Sequence, residues 1–127
     1  MREIRFRGRR EDDGKWVIGD LTHVQRIVDK GTKPQVRVGG YNVDEKTVGE
    51  YTGFKDKEGT PIFEGDIVEF KDIKKQHIYR FKVVYHRGSF GLLNDTKSKW
   101  VTSLSAHIMD EYIVVGNIIE NMELLND

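Results

Sequence analysis

Val48-Gly49-Glu50-Tyr51-Thr52-Gly53-Phe54-Lys55-Asp56-Lys57-Glu58-Gly59-Thr60-Pro61-Ile62-Phe63-Glu64-Gly65-Asp66-Ile67-Val68-Glu69-Phe70 is the stretch whose local structure decides the fold. Apolar runs carrying Tyr51 and Phe54 on one side and Phe63 on the other flank the charged segment Asp56-Lys57-Glu58-Gly59. An Asp side chain accepts from the backbone two residues on and a Gly takes positive φ, so the segment reads as the loop of a β-hairpin. Pro61 has no N–H for a ladder and belongs at a strand start or an edge. Gly65-Asp66 is a second corner, followed at once by a strand, Ile67-Val68-Glu69-Phe70. Strand side chains alternate, so Val68 and Phe70 share one face, and the acid at Glu69 argues for turning that face inward.

Towards the N-terminus the pattern stays β. Ile4, Phe6 and Gly8 alternate with Arg5, Arg7 and Arg9, giving a half-buried strand with a basic outer row. Asp12-Asp13-Gly14 turns the chain, and Trp16 to Leu21 returns, with Trp16 and Ile18 on one face. Thr22 to Val28 holds Val24, Ile27 and Val28, β-branched residues that favour a strand over a helical turn. Asp29 to Pro34 reads as a loop, Gln35 to Val38 as a short strand, and Gly39-Gly40 as its end. Asn42 to Val48 reads as a helical turn capped by Asp44, although Thr47 stands where a capping box wants Glu or Gln.

Towards the C-terminus, Lys71 to Gln76 is a polar loop. Tyr79, Phe81, Val83 and Tyr85 alternate with charged Arg80 and Lys82 in the clearest strand of the chain. His86 to Ser89 turns, Phe90 to Leu93 returns, and Asn94 to Lys99 is an exposed loop before Trp100-Val101. Ser103 to Asp110 reads as a short helix or 3₁₀ turn, Tyr112 to Val115 as the last strand, and Ile118 to Leu125 as a short closing helix. Five strands between residues 66 and 117, joined by short hairpins, suit a small closed or partly open barrel, which hides strand edges.

Composition narrows the class. A chain of 127 residues makes one domain or two small fused ones. Lys plus Arg equals Asp plus Glu at 21 each, so no bulk charge draws it to nucleic acid or lipid. The absence of Cys removes disulfides, thiol chemistry and Cys-ligated zinc. Met1 is followed by charged residues, and no apolar run approaches the ~20 residues that span a bilayer, so the expectation is a cytoplasmic protein with no membrane partner.

Chemistry-bearing patterns are sparse. His23, His77, His86 and His107 show no close metal-binding spacing. Asp12-Asp13 and Asp44-Glu45 sit in turn or cap contexts, and Glu64 and Asp66 flank a corner where bonds to backbone N–H groups explain them. Gly39-Gly40 lacks the Lys and helix of a phosphate loop, and neither Ser89 nor Ser103 has the frame of a nucleophile elbow. The expectation is no catalytic residue, no cofactor and no metal. Charge distribution is more telling. The first ten residues carry five Arg and one Glu, while residues 110 to 127 carry five acids and no Lys or Arg. The basic row could pair with the acidic tail, within one chain or between two, lie on phosphates with Trp16 or Trp100 stacking on bases, or stand as a row of solvated arginines. The first reading is preferred, because nucleic-acid modules usually carry an excess of base.

The order Tyr51-Thr52-Gly53, Asp56, Gly59 and Ile62-Phe63-Glu64-Gly65-Asp66-Ile67-Val68 resembles the YopX family of small phage and prophage proteins. Ile4-Arg5-Phe6-Arg7-Gly8 and Trp16 to Leu21 are similar to its first block. Val115-Gly116-Asn117-Ile118, Glu120-Asn121 and Glu123-Leu124-Leu125 are similar to its closing block. Phe54, Glu45, Ile119 and Met122 depart from the family's Leu, Pro, Tyr and Pro, all at packing or turn positions. The resemblance implies a mainly β protein with a small SH3-like barrel in its C-terminal half, and no catalytic residues. The expectation is therefore an N-terminal β-hairpin subdomain over residues 1–60 and an SH3-like barrel with a short helical tail over 61–127. The expected role is a phage-derived, non-enzymatic accessory module in the bacterial cytoplasm that binds a protein partner or itself as a homo-oligomer. The alternative is a nucleic-acid-binding module. Either surface would draw on Arg5, Arg7, Arg9, Lys74, Lys75, Arg80, Lys82 and Trp100.

Overall fold

The computed structural model describes residues 3–94 and 99–126. Its strands are β1 (Phe6–Arg10), β2 (Trp16–Gly19), β3 (Leu21–Val28), β4 (Gly31–Val38), β5 (Tyr41–Lys55), β6 (Pro61–Phe63), β7 (Asp66–Asp72), β8 (His77–His86), β9 (Ser89–Asn94), β10 (Lys99–Ser103) and β11 (Ile113–Asn117). Among the described residues helix is confined to α1 (Ala106–Met109) and a 3₁₀ turn at Met122–Leu125, so the protein is mainly β, as its sequence pattern requires. Two compact units result, Met1–Tyr51 and Thr52–Asp127. The division falls inside β5, not at the 60/61 boundary read from the sequence. The hairpin loop travels with the second unit because Asp56 Oδ2 accepts from Val114 N at 2.9 Å and Lys57 N donates to Tyr112 O at 2.9 Å.

The first unit is an antiparallel sheet in the order β2-β1-β5-β4-β3. Val36, Val38 and Val43 form its small buried core, with Phe6, Val17, Leu21 and Val48 packed against them. Two expectations fail here. Asp29 to Pro34 is not a loop. The chain turns over Asp29-Lys30 and β4 already runs from Gly31, pairing with β3 through an unbroken register from Leu21↔Val38 to Val28↔Gly31. Nor is Asn42 to Val48 helical. It lies in β5, where Val43 pairs with Arg10 and Gly49 with Arg7 around an irregularity. The bonds that suggested a helix cap are present, but they close a bulge. Asp44 Oδ1 accepts from Lys46 N at 3.1 Å, and Thr47 Oγ1 donates to Asp44 O at 2.6 Å and accepts from Arg9 N at 2.8 Å.

The second unit holds a curled five-stranded sheet, β10-β9-β8-β7-β11, the half-barrel of the SH3-like expectation. The short β6 pairs with β5, and Thr52 Oγ1 donates to Ile62 O at 2.7 Å. Ile62, Val68, Phe81, Val83, Phe90, Leu92, Leu104, Met109 and Tyr112 make the core. Phe70, Tyr79 and Phe81 stack in sequence with centroids 6.2 Å apart, and Tyr112 tilts against Phe70 at 5.5 Å. Burial, helped by the Glu111 charge, pushes the Tyr112 phenol above its usual range.

Both corners of the deciding stretch form. At the first, Asp56 Oδ1 accepts from Glu58 N and Thr60 N at 2.8 and 2.9 Å, with Gly59 at φ +84°. At the second, Phe63 N donates to Asp66 Oδ2 at 2.8 Å. One detail of β7 differs from the alternation: its two faces are both covered. Ile67 is fully buried, and Glu69 is 8% exposed. Arg80, directly opposite on β8, pairs with Glu69 at 3.0 Å, and the closing 3₁₀ turn lies against β8. That turn replaces the helix expected over Ile118 to Leu125. Asn117 Oδ1 accepts from Ile119 N and Glu120 N, and Asn121 Oδ1 from Asn117 N, so two Asn side chains take backbone donors before a helix can start. The loop expected over Asn94 to Lys99 falls largely on residues 95–98, outside the described residues. Its end residues Asn94 and Lys99 pair with each other.

Candidate functional site

In the first unit β4 leaves the sheet early. It pairs with β5 only at Arg37↔Asn42 and Val38↔Tyr41, whereas β3 follows it for eight residues. The β3–β4 hairpin therefore extends past the sheet as a two-stranded ribbon. A lone hairpin is marginal in water, and this one is anchored by a buried amide. Gln35 is 5% exposed. Its Nε2 lies 2.9, 3.2 and 3.3 Å from Val36 O, Glu11 Oε1 and Val43 O, and its Oε1 accepts from Arg26 Nη1 at 3.4 Å. Gln35→Leu should strand these buried acceptors and lower the stability of the first unit by about 1–3 kcal/mol. Urea melts followed by Trp16 emission in a Trp100→Phe background test this; an unchanged midpoint would deny the amide its anchoring role.

Two hollows open where ribbon and sheet part. One, of about 520 Å³, is lined by Arg10, Glu11, Asp12, Arg26, Arg37 and Tyr41, with Gly40 and Asn42 completing it. The other, of about 570 Å³, has Val24, Val36 and Val43 with His23, Lys33 and Asp44 among its lining residues. In the first, Arg10 forks onto Asp12 through Nε and Nη2 at 3.1 and 2.9 Å and lies 4.4 Å from the Tyr41 centroid. That hydrogen bond holds the Asp12 carboxyl below its usual range and raises Arg10. Arg26 Nη1 approaches Glu11 at 3.8 Å, and Arg37 Nε donates to Asn42 Oδ1 at 2.9 Å.

The ribbon also presents an edge. β3 ends the strand order, so its outer side has no strand neighbour among the described residues. It contains no Pro and no register shift, and near its tip Ile27 is 86% exposed and Val28 37%. Edges of this kind are usually blunted. On β3 the one charge is Arg26.

The residues singled out from sequence fall in three places. Arg5, Arg7 and Arg9 sit at or before β1 and are engaged locally. Arg5 pairs with Glu3 at 2.8 Å and lies over Tyr51, Arg7 lies 4.9 Å from the Trp16 centroid, and Arg9 Nε donates to Gly14 O at 3.0 Å. Lys74 and Lys75 are exposed on the β7–β8 turn beside Ile73, which is 88% exposed. Arg80, Lys82 and Trp100 share one face of the second sheet. Lys82 and Trp100 both pair with Leu93, while Arg80 is held by Glu69. Trp100 lies so close over Gly91 that a Cβ there would collide with its ring, so only glycine fits beneath it. Sequence reasoning missed the groove arginines because Arg10, Arg26 and Arg37 come from three strands. The Gly39-Gly40 turn was the available signal, since it sets Arg37 beside Asn42.

Among the described residues no group of three or more His, Asp or Glu is placed to hold a metal ion, and no helix is long and apolar enough to cross a membrane. The fold thus defines an all-β protein with a small ribbon-bearing sheet and a curled half-barrel. The family model described as YopX protein matches residues 5–126, and the chain belongs to the YopX family. It is also similar to the crystal structure of protein EF1440 from Enterococcus faecalis, with 25% identity, a TM-score of 0.61, and coverage of 98% of this chain and 99% of that one. Comparison with curated proteins gives no match.

Proposed function

We propose that the chain is a non-enzymatic accessory module, phage- or prophage-derived and cytoplasmic in its bacterial host, that acts through protein–protein contact and first of all through self-assembly. The observation that carries this reading is the outer edge of β3. An eight-residue strand with one strand neighbour among the described residues offers backbone groups to another strand. Antiparallel pairing of two β3 strands about Gln25 sets His23 opposite Ile27 and Val24 opposite Arg26, with no like charges facing each other. A net charge of zero leaves little long-range repulsion between copies.

Contact with nucleic acid is the weaker reading. Arg5 is spent on a carboxylate, and Arg5 and Arg7 lie over rings. Light scattering across a concentration series should give a mass above the monomer, reduced to the monomer by Ile27→Lys, a change at an exposed position that leaves the fold intact. A monomer at every concentration, or an assembly indifferent to Ile27→Lys, contradicts assembly through β3. Binding to DNA or RNA that weakens steeply with salt would favour the alternative.

A further inference from the structure

The groove between the end of β1 and the ribbon has an uneven charge distribution. Arg10 is matched by Asp12 and by Asp13 at 3.5 Å, and Arg26 faces Glu11. Arg37 has no carboxylate partner among the described residues. Its Nε is spent on Asn42, which fixes the guanidinium plane and leaves the Nη donors as a fork. With Asp13 included, three acids face three arginines, so the groove is neutral as a whole and its positive character is local to Arg37. Tyr41, 47% exposed and with the Arg10 guanidinium 4.4 Å from its ring centroid, lines the same groove.

We propose that this groove recognises an acidic peptide by seating a single carboxylate on Arg37. The proposal rests on the reading of the chain as a protein-contact module and names the partner's chemistry. A guanidinium fork matches a carboxylate in two parallel bonds. Glu11 and Asp12, at the β1 end of the same groove, accept from peptide N–H groups, and they repel a continuous phosphate backbone, which carries a charge at every nucleotide. The about 520 Å³ of open space lies within the range of ligand pockets, ~300–1,000 Å³.

The test is a ¹⁵N amide titration of the full chain with acetyl-Gly-Glu-Leu-Gly-amide, its Gln counterpart, inorganic phosphate and oligothymidine. The Glu peptide should shift the amides of Arg37, Gly40, Tyr41 and Asn42 and bind about tenfold more tightly than the Gln peptide. Arg37→Gln should abolish that preference while the remaining spectrum stays folded, and Arg37→Lys should restore part of it. Equal affinity for the two peptides, no shift in the groove, an unchanged preference in Arg37→Gln, or tighter binding of phosphate or oligothymidine overturns the proposal. A chain that stays monomeric yet prefers the Glu peptide sinks assembly through β3 and leaves the groove assignment standing.

Discussion

Asp56→Ala should cost the second unit about 3–5 kcal/mol, a large share of the 5–15 kcal/mol that holds a typical domain. Asp56 is 6% exposed, and its two carboxylate oxygens serve three backbone donors, those of Glu58, Thr60 and Val114. The first two close the hairpin loop. The third spans 58 positions in the sequence and fastens that loop to the start of β11. Hydrogen bonds to a charged group contribute about 1.5–3 kcal/mol each, and the donors left behind are part-buried, so water repays little of the loss. Asp56→Asn separates charge from geometry. It keeps one acceptor oxygen but sets an NH₂ against a backbone donor, and should fall between the two. With Trp16 replaced by Phe, the emission of Trp100 reports the second unit in urea. A midpoint for Asp56→Ala equal to that of the parent would show that the loop holds without its carboxylate.

Arg80→Ala should be nearly as damaging, by about 3–5 kcal/mol, for a different reason. Glu69 is buried in β7, and the Arg80 guanidinium 3.0 Å away compensates its charge. Arg80 Nη1 also reaches Leu124 O at 3.5 Å, tying the closing 3₁₀ turn to the sheet. Removing the arginine alone leaves a carboxylate in an apolar setting. Removing both charges does not, so Glu69→Leu combined with Arg80→Met should recover most of the loss. A double-mutant cycle on urea midpoints reads the coupling directly. Additive effects would mean that Glu69 finds water or another donor once Arg80 has gone. Arg80 was a candidate for an outer binding surface in the sequence; its pairing with Glu69 makes it a structural group first.

What could be read from the residues followed from local rules. The Asp56 and Gly65 corners form as their side-chain chemistry demands, and the Tyr79–Tyr85 alternation lies wholly within β8. Errors came where one local signal serves two structures. Asp44 and Thr47 make the same side-chain bonds in a strand bulge as in a helix cap, and only the register with β1 separates the cases. The polar run Asp29 to Pro34 looked like a loop because a ribbon wet on both faces shows no alternation. Alternation sets Ile67 with Glu69 on the outward face of its strand, yet Ile67 is fully buried, because alternation alone does not show that both faces of a strand are covered. The groove was invisible because it is assembled from segments some thirty positions apart.

The strand order of the second sheet also bears on how the molecule is made. From β8 to β10 each strand lies beside the one synthesised just before it, so each pairing closes only a short loop. The β7–β10 meander can thus form by successive local pairings that do not need β11. The open edge of β7 is paired only when Ile113–Asn117 joins it, through Ile113↔Glu69 to Asn117↔Asp66. Until then β7 carries an unpaired edge, the kind of transient surface on which a folding chain misassembles.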